Sequence, residues 1–291
     1  MSAKNNLLLR VLSGICLGAI AIWGVVWSNF VLNLLLAAGA IISGIEWTQI
    51  IEPSFRAQHG IHPAVLLERP DGFRARAHGM TLYVLSFALF ILFVIGTRTH
   101  APRYGFELAS GSVLFFAYAV AFKPSLARKR DSLFLSLGFP VIGATILSLL
   151  ALHQGVNWHA LIFLLACVSA TDIGGFAFGK MIGGKKLAPR ISPNKTIAGS
   201  IGGLISAAVV AAILSHWLGE VSAFHSMIVG LALSILAQLG DLAESALKRR
   251  FSVKDSGFLI PGHGGILDRI DGLLLAAPLF TLYRLWLGGP L

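Results

Sequence analysis

Residues 197–218 read IAGSIGGLISAAVVAAILSHWL, a run without a single Asp, Glu, Lys or Arg. As a helix rising 1.5 Å per residue it reaches about 33 Å, enough to cross the roughly 30 Å hydrocarbon layer of a bilayer. The stretch predicts a transmembrane helix. Outward from it, further apolar runs bounded by charges or turn residues lie at about 8–28, 30–51, 79–97, 107–122, 133–152, 159–178, 224–246 and 270–288. At 56% hydrophobic and 12% charged residues, with mean hydropathy +0.79, this 291-residue chain is not an ordinary water-soluble one. Nine crossings of about 20 residues take about 180 and leave about 110 for every loop and both ends, which excludes a large soluble domain. The expected fold is all-α: a polytopic integral membrane protein of about nine transmembrane helices, about five in residues 1–155 and four in residues 156–291. The first run lacks a small-residue cleavage site and reads as an uncleaved span.

Charge sets the orientation. With the N-terminus cytoplasmic, 20 of the 23 Lys and Arg residues fall on one side, leaving Arg98, Arg103 and Arg284 at or near the other. The net charge of +10 would suggest nucleic acid in a soluble protein; here it reads as topology and as attraction for phosphate, with no nucleic-acid partner expected. Cys16 and Cys167 sit in apolar runs as small buried hydrophobes. In the first half the exceptional residue is Glu46, a carboxylate inside the second run, open between a structural hydrogen bond and a role near a substrate. His59, His62 and His78 have no metal-ligand spacing and read as part of a solvated loop.

The second half places carboxylates inside or at the ends of spans, beside basic loops. An unpaired carboxylate in hydrocarbon costs several kcal/mol, so Asp172, Asp241, Glu244, Asp268 and Asp271 are each functional candidates. In the expected topology all gather toward the cytoplasmic face. Asp241 with Glu244, and Asp268 with Asp271, are spaced three apart, so on a helix each pair shares a face. Oxygen donors of this kind suit Mg²⁺, which takes one or two carboxylates together with substrate phosphates. The plainer alternatives are that Glu244 pairs with Lys248 one turn on, and that Asp268 and Asp271 cap the last helix. The loop from Phe176 to Gly203 is rich in glycine and lysine and ends on Ser192, Pro193, Asn194, Lys195 and Thr196 before a helix, a phosphate-favouring arrangement. It has no GxxxxGK[ST], so it is not a P-loop, and a positive-inside loop with packing glycines stays open.

From Ser245 the chain reads SALKRRFSVKDSGFLIPGHGGILDRID. Ser245, Lys248, Arg249, Lys254, Asp255, His263, Gly264, Gly265, Asp268, Arg269 and Asp271 stand at the spacing of the phosphatidate cytidylyltransferases, or CDP-diacylglycerol synthases, which this segment closely resembles. Asp172 with the following glycine and basic loop, the ISPNKT run, and Gly240-Asp241 before Glu244 resemble the family's other shared region. The likeness is strong over roughly residues 170–275; the first five spans match only in character. One departure is visible: Lys195-Thr196-Ile197-Ala198-Gly199 stands where family members commonly have Lys-Thr-x-Glu-Gly.

The resemblance implies a nucleotidyltransferase of phospholipid biosynthesis that condenses CTP with phosphatidic acid, giving CDP-diacylglycerol and pyrophosphate. It implies Mg²⁺, with K⁺ as a candidate second cation, on Asp241, Glu244, Asp268 and Asp271. Lys248, Arg249, Lys254 and Arg269 would take anionic groups, beside Asp255 in the same catalytic segment. Asp172, Lys180, Ser192, Pro193, Asn194, Lys195, Thr196 and Ser245 would bind substrate. His263 reads as a positioning donor or part of a glycine turn, because the attacking phosphate is already ionised. A bacterial-type inner (plasma) membrane, a site facing the cytoplasm, and a homodimer are implied in the same way. The rivals are a transporter, which would place its charges near the bilayer midplane, and the same chemistry on another lipid phosphate. A phosphotransferase consuming a CDP-lipid is disfavoured by the absence of that family's spacing.

Overall fold

An apolar run buried in lipid must satisfy its own backbone, and helices do this within one segment. The computed structural model describes residues 23–26, 29–51, 129–153, 158–218, 222–257 and 264–286. These residues are mostly helical: α1 (Asn29–Ile51), α2 (Lys129–Ala151), α3 (Trp158–Ile182), α4 (Ile197–Leu218), α5 (Ala223–Arg250), the short α6 (Leu267–Ile270) and α7 (Leu273–Trp286). Between α3 and α4 lie the strands β1 (Lys186–Ala188) and β2 (Ser192–Thr196). Among the described residues, four helices have the length and composition to cross a membrane: Phe30–Ile51, Trp158–Ile182, Ile197–His216 and Ala223–Arg250. Leu137–Ala151 and Leu273–Arg284 are shorter apolar helices. The expected runs at 79–97 and 107–122, and most of that at 8–28, lie outside the described residues.

Two helices outrun their apolar windows. α3 continues to Ile182 through Lys180, and α5 continues to Arg250 through Lys248 and Arg249, where cations suit the negative end of a helix dipole. The 28 residues of α5 reach about 42 Å, more than the roughly 30 Å hydrocarbon layer, so its charged last turns extend to headgroup depth in a bilayer. The all-α expectation also omits the hairpin. Gly183 and Gly184, at φ 67° and 90°, turn the chain out of α3. β1 then pairs antiparallel with β2 through Lys186 opposite Thr196 and Ala188 opposite Ser192. Strands of three and five residues are too short to leave a periodic signal in the sequence.

The chain divides into two compact units, Leu147–Arg250 with Ile270–Leu291, and Met1–Ile146 with Phe251–Arg269. In the first, glycines bring α3 and α4 into backbone contact: a Cβ on Gly199 would meet the Gly175 carbonyl at 2.6 Å, and one on Gly203 the Thr171 carbonyl at 2.8 Å. A polar ladder crosses the same helices. The Thr171 hydroxyl donates to Ser234 Oγ (2.9 Å), Gln238 Nε2 donates to Ser234 Oγ (3.3 Å) and to the Ser200 carbonyl (3.2 Å), and the Ser200 hydroxyl donates to Gln238 Oε1. α7 lies against α5 so closely that a Cβ on Gly240 would meet the Asp271 carbonyl at 2.5 Å. In the second unit Trp47 Nε1 donates to the Phe134 carbonyl (2.9 Å), fastening α1 to α2.

Candidate active site

A cavity of about 490 Å³ opens within the first unit, in the size range of small-molecule sites. α3 contributes Asp172, Phe176 and Lys180; β2 contributes Asn194, Lys195 and Thr196; α4 contributes Ser200; α5 contributes Gln238 and Asp241. Six residues singled out from sequence, Asp172, Lys180, Asn194, Lys195, Thr196 and Asp241, thus share one wall system although they span some seventy positions.

Each is placed by local structure. The hairpin carries Lys195 to α5, where its ammonium pairs with the Asp241 carboxylate while both remain partly exposed. Ser245, one turn along α5, donates to Asp241 Oδ1 (3.3 Å). Thr196 caps α4, its Oγ1 accepting from the Gly199 N–H (3.0 Å). Lys180 stands 5.8 Å over the Phe176 ring. Arg249 is exposed and donates from Nε to the Ile191 carbonyl (3.1 Å), tying the hairpin to α5. Ser192 and Pro193 begin β2, outside the residues that line the cavity.

Asp271 lies in the turn between α6 and α7, where its Oδ1 accepts from the Gly272 N–H (2.7 Å). Its charge is largely withdrawn from solvent, is opposed by those of Asp241 and Asp172, and is favoured by Lys248. Negative charge crowded in this way calls for cations. Asp241 and Asp271 are hard oxygen donors, and Mg²⁺ commonly takes two such carboxylates and completes its shell with phosphates and water. Among the described residues no three His, Cys, Asp or Glu side chains form a metal-holding group. Glu244 follows the plainer expectation: it is buried and paired with Lys248 Nζ at 2.5 Å, so its charge is met within α5.

In the other unit Asp268 accepts from the backbone N–H groups of Ser256 (3.0 Å) and Gly265 (3.0 Å). Gly264 has φ 80°, and a Cβ there would come 2.8 Å from Asp268 Oδ2, so both backbone and space require glycine. Lys254, Asp255 and Arg269 are exposed, and His263 lies outside the described residues. Glu46 resolves toward a hydrogen-bonding role: Oε1 accepts from the Ile266 N–H (2.9 Å), and Oε2 from the Leu267 N–H (2.7 Å) and the Ser256 hydroxyl (3.0 Å).

Sequence reading passed over Phe176, Ser200 and Gln238 as cavity residues. Gln238 did leave a signal, since it is an amide in an apolar run one turn before Asp241. A search for carboxylates alone does not find it.

The chain matches the model of the Cytidylyltransferase family over residues 8–287. It is 34% identical over 280 residues to a protein of Brucella suis biovar 1 named phosphatidate cytidylyltransferase, covering 96% of this chain and 93% of that one. Proteins of the same name from Staphylococcus saprophyticus and Staphylococcus aureus (strain COL) are 43% and 46% identical over 125 residues, covering 43% of this chain and 48% of theirs.

Proposed function

Because this chain belongs to the cytidylyltransferase family, we propose that it is an integral-membrane phosphatidate cytidylyltransferase, transferring CMP from CTP to phosphatidic acid. The observation that carries this reading is the cavity in which Lys180, Lys195 and Asn194 stand beside Asp172 and Asp241, within a likeness that spans nearly the whole chain. An oxygen of the lipid phosphate attacks the α-phosphorus of CTP; the new P–O bond forms as the bond to the β-phosphate bridging oxygen breaks, and pyrophosphate leaves. No strong general base is required, because the attacking phosphate is already ionised at neutral pH. The chain's task is alignment and charge.

Lys195, Lys180 and Asn194 hold the triphosphate, with Ser192, Pro193, Thr196 and Ser245 shaping the hairpin and helix ends around it. Asp172 orients the nucleotide from α3. Lys248, Arg249, Lys254 and Arg269 receive the remaining phosphate charge, and Asp255 and His263 act in the same catalytic segment, His263 as a positioning donor. Mg²⁺ would be held by Asp241 and Asp271, with K⁺ as a candidate second cation, and would neutralise the charge that develops on the departing pyrophosphate. The proposed topology has about nine helices and a cytoplasmic N-terminus, which would put the basic loops where CTP arrives and the lipid headgroup lies. The first five spans, to about residue 155, then serve as the lipid-facing part, and the region after it carries catalysis. An inner (plasma) membrane location and a homodimer complete the proposal.

Purified protein supplied with CTP, phosphatidic acid and Mg²⁺ is expected to release pyrophosphate. Asp271→Asn keeps the turn's shape, removes one charge, and should lower kcat by about 10²–10³-fold. Release with an ether or polyprenyl phosphate but not with phosphatidic acid would move the substrate assignment, and silence across the panel would reject the activity.

A further inference from the structure

We propose that Glu46 is a positioning residue: a carboxylate on a membrane-crossing helix of the N-terminal half that clamps Ser256 and the backbone of Ile266 and Leu267, just before Asp268. The inference rests on the functional reading above, because the clamped residues lead directly into Asp268 and Arg269 of the catalytic segment.

Glu46 is buried, with 4% of its surface exposed. A charge placed there must be met by donors, and the donors it meets are one side-chain hydroxyl and two backbone N–H groups. Its Oε1 takes the Ile266 N–H, while its Oε2 takes the Leu267 N–H and the Ser256 hydroxyl. These contacts join positions more than two hundred residues apart in sequence. Ile266 and Leu267 immediately precede Asp268, so their amide directions fix where that carboxylate leaves the backbone. Asp268 in turn accepts from the Ser256 and Gly265 N–H groups. Each carboxylate therefore ties Ser256 to the residues just before Asp268: Glu46 through Ser256 Oγ and the Ile266 and Leu267 N–H groups, and Asp268 through the Ser256 and Gly265 N–H groups.

A second observation is steric. A Cβ on Gly257 would lie 2.6 Å from Glu46 Oε1, and Gly265 has no room for a Cβ between Glu46 and the Ser256 hydroxyl. The loop is thus shaped around this carboxylate, and the second glycine of the His263-Gly264-Gly265 run is explained by it. A residue that merely filled core volume would need neither three directed donors nor glycine on both sides.

Glu46→Gln tests the clamp. The amide keeps one acceptor oxygen but turns an N–H toward a donor, so the Ile266 or Leu267 N–H loses its partner. Hydrogen exchange of the full-length protein in detergent is expected to speed up at those two amides by about tenfold or more, with α3 and α4 unchanged. With CTP and phosphatidate, kcat should fall by about 10–100-fold while KM for CTP stays within about threefold. Ser256→Ala removes one of the three bonds and should shift both readouts the same way by less, which keeps the test available if Glu46→Gln fails to fold. Wild-type exchange and kcat in both variants would overturn the proposal. So would exchange rising equally in every helix, or a KM effect at constant kcat. Wild-type inactivity on phosphatidate would sink the functional reading by itself, and the exchange at Ile266 and Leu267 would still decide the clamp.

Discussion

In the nest of α3, α4, α5 and α7, the carboxylates Asp241 and Asp271 stand within reach of lysines, and Asp172 and Asp241 line a cavity. In the loop that includes Ser256 and Asp268, Glu46 and Asp268 point at backbone N–H groups. The residue types are the same and the surroundings are opposite. A pairing such as Lys195 with Asp241, partly open to water and therefore screened, contributes little to stability and can be exchanged for an incoming phosphate or cation. A carboxylate that takes two or three fixed backbone donors away from water holds a shape and resists exchange. An acid in an apolar span is thus a functional candidate by default, but what it faces decides whether it handles a ligand or a loop.

Glycine marks the same contrast. In the nest it lets two helices touch; in the loop it makes room for a carboxylate. The strongest way to break the nest without touching a charge is Gly199→Ala. Its Cβ would meet the Gly175 carbonyl at 2.6 Å, a backbone atom that cannot swing aside, so α3 and α4 must separate where Lys180 and Thr196 line the cavity. The expected cost is about 1–3 kcal/mol of stability together with about a 100-fold loss of kcat/KM. Thermal melts and steady-state kinetics in detergent measure the two, and unchanged kinetics would show that the cavity does not depend on this contact.

Much of the nest is legible in the sequence, and the reason is physical. A charge in a span has few explanations, so Asp172, Asp241 and Asp271 announce themselves, and Lys195 and Thr196 before an apolar run announce a helix start. The helices at 30–51 and 197–218 appear essentially where the apolar runs put them. The hairpin is not legible, because its strands are short and its pairing is fixed by tertiary contact. Nor is the destination of Glu46: periodicity shows that the residue sits on a helix, and nothing local indicates that its partners are amides near residue 266. Glu244 shows the converse, a carboxylate whose i,i+4 lysine was visible from the start and is the partner it takes.

A smaller effect sharpens the comparison from the side of the ligand. Lys195→Ala removes a cation that the geometry leaves exchangeable, so KM for CTP should rise by about tenfold, close to 1.4 kcal/mol, with a lesser change in kcat. The melting temperature should hardly move, because a partly exposed ion pair contributes little to folding. A large fall in melting temperature with unaltered KM would mean that Lys195 belongs with the structural charges and not with the exchangeable ones.

The smallest expected effect concerns the polar ladder under the cavity. Thr171→Val keeps the shape of a buried side chain and deletes the hydroxyl that donates to Ser234 Oγ at 2.9 Å. Ser234 still accepts from Gln238 Nε2, and Gln238 still engages the Ser200 carbonyl, so the rungs on either side persist. Hydrogen bonds between membrane helices average about 0.6 kcal/mol in double-mutant cycles, since helices apart in the membrane also find partners. The variant should therefore lose about that much stability and keep its kinetics. A loss several times larger would show that the ladder acts cooperatively, and that the nest, like the loop, is held by directed polar contacts as much as by close glycine packing.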